Sequence, residues 1–83
     1  MTDTYNVRID AELTDTFGGE ANYCWVRRAS FTVPANATDQ MVIRRAKREL
    51  GVSGRHQKDS YGEGITLRFP HACMVAFLSF NEA

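Results

Sequence analysis

The stretch Thr38-Asp39-Gln40-Met41-Val42-Ile43-Arg44-Arg45-Ala46-Lys47-Arg48-Glu49-Leu50-Gly51 decides the fold. Met41, Val42, Ile43, Ala46 and Leu50 fall on one side of a helical wheel. Arg44, Arg45, Lys47, Arg48 and Glu49 fall mostly on the other. This period predicts an amphipathic helix with one face on a core. Thr38 and Asp39 read as its start, with the Asp39 carboxylate suited to the positive end of the helix dipole. Gly51 reads as its stop and Val52 as the apolar contact that accompanies such a stop.

Upstream of the helix, the period changes to two. Tyr5, Val7, Ile9, Ala11 and Leu13 alternate with Asn6, Arg8, Asp10 and Glu12, which predicts a half-buried strand. Residues 14–22, around Gly18-Gly19, read as a hairpin connection. Tyr23 to Val33 reads as a second strand closed by Pro34. Its apolar odd positions place Tyr23 and Trp25 with Phe31 on the core face. Arg27 interrupts that face, so a bulge or an edge is expected near it.

Downstream, residues 53–64 read as a polar loop. Ile65, Leu67 and Phe69 then alternate with Thr66 and Arg68 as a third strand, and Pro70-His71 is a turn. Residues 73–80 make a fourth strand, apolar on both faces, as suits a central strand or one whose outer face meets a partner. The expected fold is α+β. One domain over residues 1–83 carries a four-stranded antiparallel sheet with one helix packed on one face, in the order β-β-α-β-β.

Size and charge limit the functions open to such a chain. With 83 residues it buries only ~60% of its unfolded surface, which leaves little room for a deep substrate cleft. No apolar run approaches the ~20 residues of a membrane-spanning helix. The first residues carry no secretory signal pattern. Two cysteines, Cys24 and Cys73, then read as reduced thiols and small buried hydrophobes. Net charge is zero but segregated: residues 1–25 hold one Arg and five acids, residues 26–58 hold eight Lys or Arg and two acids, and residues 59–83 hold one Arg and three acids. A surface of this kind steers charged partners even when the total is neutral.

No catalytic, metal or cofactor motif emerges. Gly18-Gly19 and Gly62-Glu63-Gly64 lack the lysine and the strand-to-helix setting of phosphate-binding loops and read as turns. Gly51-Val52-Ser53-Gly54-Arg55 follows a helix and misses the final glycine of a nucleophile elbow. Cys24, Cys73, His56 and His71 show no paired ligand spacing. His56 lies among cations, which lower its pKa. Asp10 and Glu12 share the solvated face of the first strand. The expectation is a chain that is not an enzyme, with no cofactor and no metal.

The run from Asp15 to Arg28, Asp15-Thr16-Phe17-Gly18-Gly19-Glu20-Ala21-Asn22-Tyr23-Cys24-Trp25-Val26-Arg27-Arg28, resembles short uncharacterised proteins of bacteriophage and prophage genomes. The similarity extends through the helix and Ser53-Gly54-Arg55. The resemblance implies a phage accessory protein working in the bacterial host cytoplasm. It transfers no catalytic residue. Many phage proteins of this size bind a host protein and block it, inhibitors of CRISPR systems among them.

The expected contact residues are Arg27, Arg28, Arg44, Arg45, Arg48, Arg55 and Tyr61, with Lys47, His56 and Lys58 beside them. If the helix packs beside the end of the second strand, the cations form one continuous anion-recognising patch. Tyr61 is the aromatic expected to be exposed. Asp10, Glu12, Asp15 and Glu20 form an alternative face that could imitate phosphates. Nucleic acid is the alternative partner for the basic helix and loop, although the sequence pI of 6.7 falls below the ~9 usual for such domains. The sheet edges and the apolar outer side of residues 73–80 raise a third option, a homodimer.

Overall fold

A computed structural model describes residues 6–18, 20–61 and 64–82, with Tyr61 and Glu82 described by their backbone alone. The elements are β1 (Asn6–Phe17), β2 (Glu20–Pro34), α1 (Asp39–Leu50), β3 (Gln57–Tyr61), β4 (Gly64–Phe69) and β5 (Met74–Glu82). The α+β class and the single helix agree with expectation. The sheet has five strands rather than four, in the order β2-β1-β5-β4-β3, and every neighbouring pair is antiparallel.

The extra strand is β3, inside the segment read as a polar loop. Its sequence, Gln-Lys-Asp-Ser-Tyr, offers no apolar alternation because it lies at the sheet edge and pairs with β4 alone. Backbone pairing, not side-chain burial, makes it a strand. Central β5 fits its apolar sequence, lying between β1 and β4.

One sheet face carries the core. Ile9, Ala11 and Leu13 of β1, Phe31 and Val33 of β2, Ile65, Leu67 and Phe69 of β4, and Ala76 and Leu78 of β5 meet Val42, Ile43, Ala46 and Leu50 of α1. Thr38 Oγ1 accepts from the Met41 N–H at 3.2 Å and caps the helix start. Gly51 ends the helix at φ 72°, and the Gly51 and Val52 N–H groups donate back to Arg48 and Lys47 carbonyls.

The β1–β2 hairpin departs most from the expected course. Both strands continue into the expected connection, β1 to Phe17 and β2 from Glu20. Of the bulge or edge expected near Arg27, the edge is found, since β2 is an outer strand of the sheet, and the bulge lies just before Arg27 in the chain. Thr14 pairs with Val26 and Thr16 with Ala21, so residues 22–25 stand opposite Asp15 alone. Thr14 Oγ1 accepts from the Tyr23 N–H at 3.0 Å, and Asp15 Oδ1 from the Cys24 N–H at 2.8 Å and the Trp25 N–H at 3.4 Å. Asn22 Nδ2 donates to Asp15 Oδ2 at 2.9 Å. Tyr23 sits at φ 57°, a left-handed conformation that a side chain disfavours and these bonds support.

The bulge overturns the expected burial of two aromatics. Tyr23 is 55% exposed and Trp25 40% exposed, because the three extra residues break the alternation that placed them on the core face. Both cysteines are free and exposed rather than buried. Cys24 lies in the bulge, and Cys73, at φ 54°, lies in the turn before β5.

Candidate contact surface on helix α1

The basic residues divide among separate surfaces. Arg27 pairs with Leu13 on the core-bearing face and donates from Nη1 to the Leu50 carbonyl at 2.7 Å. It fastens the helix end to β2 and supplies a cation to the negative helix terminus. Arg28 points to the opposite sheet face and meets Glu12 across the strands at 3.2 Å. The two neighbouring arginines therefore cannot share one patch, since successive residues of a strand face opposite ways.

On the helix, Arg45 is half-buried. Its Nε donates to Glu49 at 2.8 Å, and its guanidinium lies 5.3 Å from the centroid of the Phe31 ring. Lys47 turns toward the segment after the helix. Its Nζ donates to the Gly54 carbonyl at 2.6 Å, lies 3.2 Å from His56 Nδ1, and sits 5.9 Å from the centroid of Phe69. Lys58, placed on β3, pairs with Asp39 at 3.2 Å.

Arg44, Arg48 and Arg55 are exposed. Among the described residues none of these three guanidinium groups has an acidic partner. Arg44 and Arg48 stand one turn apart on the helix crest. Two shallow grooves flank them. One, of about 380 Å³, runs between α1 and the following segment and is lined by Ile43, Arg44, Lys47, Arg48, Val52 and His56 among others. The other, of about 360 Å³, is lined by Met41, Arg44, Arg45 and Arg48.

His56 borders the first groove with its ring edge-on to Phe69, centroids 6.3 Å apart. Desolvation holds its pKa below the ordinary 6.5, and the Lys47 and Lys58 charges lower it further. The ring is therefore neutral at pH 7, and Nδ1 can accept from the Lys47 ammonium.

The acidic residues of β1 do not form a free face. Asp10 accepts from Ser30 Oγ and from Asn81 Nδ2 at 2.8 Å, and forms an ion pair with Arg8 at 3.3 Å. Glu12 is held by Arg28, and Asp15 serves the bulge. The hydrogen bond from Asn22, with those from Cys24, Trp25 and Thr14, keeps the Asp15 carboxyl below its ordinary 3.8 despite some desolvation. Glu20 is exposed at the start of β2. Three of the four acids are thus committed to bonds within the chain.

The outer side of β5 is likewise not a free apolar face. Val75 is 1% exposed and Phe77 half-buried, while Ser79 is exposed. Val75 stands opposite Thr14, itself 0% exposed, where the bulge crosses.

The chain matches no protein-family model, no curated protein and no solved structure.

No helix among the described residues is long and apolar enough to cross a membrane. No three His, Cys, Asp or Glu side chains among the described residues are grouped as a metal-ion site requires.

Of the expected contact residues, the structure brings Arg44, Arg48 and the half-buried Arg45 to one crest, with Arg55 in the segment beyond. Arg27 belongs to the helix cap and Arg28 to the other face. The Tyr61 side chain lies outside the described residues. Sequence reasoning missed the exposed aromatic end of the hairpin, where Phe17 is 79% exposed and Tyr23, Trp25 and Val26 follow in the same arm. Phe17 beside Gly18 was the signal: an apolar residue against a turn glycine sits at a tip.

Proposed function

We propose that this chain is a phage-encoded binding protein that modulates or inhibits a protein of its bacterial host by contact rather than by chemistry. The carrying observation is the pair of exposed arginines, Arg44 and Arg48, one helical turn apart with no acidic partner among the described residues. Like charges at that spacing weaken a helix by a few tenths of a kcal/mol, roughly 0.2–0.5. An anionic partner surface would relieve the repulsion and gain bidentate guanidinium contacts. Arg55 is a further exposed cation in the segment after the helix. Tyr23 and Trp25, exposed in the β1–β2 hairpin, are of types enriched among interface hot spots.

The family resemblance of residues 15–28 supports the phage setting, the bacterial cytoplasm and an anti-defence role. Nucleic acid is the second reading, because the same three guanidinium groups suit phosphates. Overall neutrality weighs against it.

Affinity capture from bacterial lysate tests the proposal, alongside anisotropy titration of a labelled oligonucleotide at two salt concentrations. One stoichiometric protein partner and no salt-sensitive oligonucleotide binding is the expected result. Salt-sensitive oligonucleotide binding with no protein partner overturns it.

A further inference from the structure

The groove between α1 and residues 52–56 brings cations and apolar side chains together. Ile43, Arg44, Lys47, Arg48, Val52 and His56 line it, and no carboxylate does among the described residues. Lys47 has protein partners, but both are neutral: a carbonyl and a His56 ring that is uncharged at pH 7. Its positive charge is therefore held in place without being cancelled. Three cations thus border one concavity. Ile43 and Val52, largely buried members of the core, contribute its apolar lining.

We propose that this groove seats a short acidic peptide segment of a protein partner, with carboxylates against Arg44, Arg48 and Lys47 and an apolar side chain over Ile43 and Val52. The inference rests on the reading of the helix crest as the contact surface and names the chemistry that the crest takes. Charge complementarity selects the occupant. The positive field is also short. Asp39, paired with Lys58, and Glu49, paired with Arg45, stand near the two ends of α1, whereas a nucleic-acid backbone needs cations along an extended track. An apolar lining adds nothing for a phosphate and suits a leucine or valine beside a glutamate. A groove of about 380 Å³ holds a few side chains, not a folded domain.

NMR titration of the whole 83-residue chain tests this with three probes: an acetylated peptide alternating glutamate with leucine, the same peptide with glutamine for glutamate, and an oligothymidylate of similar charge. The acidic peptide is expected to shift the amides of Arg44, Arg48, Ser53, Gly54 and His56 and to raise the midpoint at which the His56 ring titrates. The glutamine peptide is expected to do neither. Arg44→Gln/Arg48→Gln, conservative on an exposed face, should weaken the acidic peptide by about tenfold while amide dispersion is retained. Equal shifts with the glutamine peptide, shifts only with oligothymidylate, or no shift with any probe each overturn the acidic-peptide assignment. If lysate capture still depends on Arg44 and Arg48 while the peptide fails, the groove assignment falls and the contact surface stands. If both fail, the contact surface falls as well.

Discussion

Arg27 Nη1 donates to the Leu50 carbonyl at 2.7 Å, joining the middle of an edge strand to the last residue of the helix. The contact explains why a charged residue stands on the core-bearing side of β2. It also tightens the surroundings of Gly51, where an added Cβ would lie 3.3 Å from the same guanidinium nitrogen.

Removing the contact should loosen the helix end. Arg27→Ala is expected to lower stability by about 1 kcal/mol, the lower range for a charge-assisted bond at an exposed site. Gly51→Ala should cost about as much or more, since φ is 72° there and alanine disfavours that region. Denaturant unfolding checks both. The midpoint should fall while the slope stays unchanged.

The hairpin bulge depends on Thr14 and Asp15 for its N–H groups. Thr14→Val should cost about 1 kcal/mol, because a buried valine leaves the Tyr23 N–H without its acceptor, while Thr14→Ser should be milder. Asp15→Ala should destabilise the bulge more than Asp15→Asn, which keeps one acceptor oxygen. The folded Asp15 pKa lies below the unfolded 3.8, so its contribution is complete above that pH and is lost as pH falls through the folded value. Unfolding midpoints at neutral and strongly acidic pH should show that acid loss in the native chain and much less of it in Asp15→Asn.

His56 gives a second pH dependence at milder acidity. The unfolded ring takes its proton near 6.5, and the folded ring takes it at lower pH because of desolvation and two nearby lysines. Stability from the neutral ring is therefore full above 6.5 and falls as pH drops through the folded value. A ring-proton NMR titration should place the midpoint below 6.5. His56→Gln should flatten the corresponding part of the stability profile.

Much of this architecture is written in side-chain periodicity. The stretch from Thr38 to Gly51 carries cap, face and stop, and all three are realised. Ile9, Leu13, Ile65 and Leu67 alternate as strands and are buried as such. Periodicity says nothing of a strand that buries little, so Gln57–Tyr61 is illegible in sequence. It also cannot place residues 22–25, because a bulge resets the alternation and Tyr23 and Trp25 land outside the core. The contact residues were legible as a composition of cations. Their partition was not: whether an arginine is spent on a carbonyl, a carboxylate or solvent depends on which face of which strand it occupies. Arg27 and Arg28, adjacent in sequence, end on opposite sides of the sheet.

Charge reversal on the two sides of the sheet tests the central claim most directly. Arg44→Glu/Arg48→Glu and Arg28→Glu are compared with the native chain as baits for quantitative capture from bacterial lysate, after circular dichroism shows equal folding. The native chain and Arg28→Glu should retain the same stoichiometric protein, and the helix double variant should lose it. Equal recovery with all three baits, or loss with Arg28→Glu alone, would contradict a contact surface on helix α1.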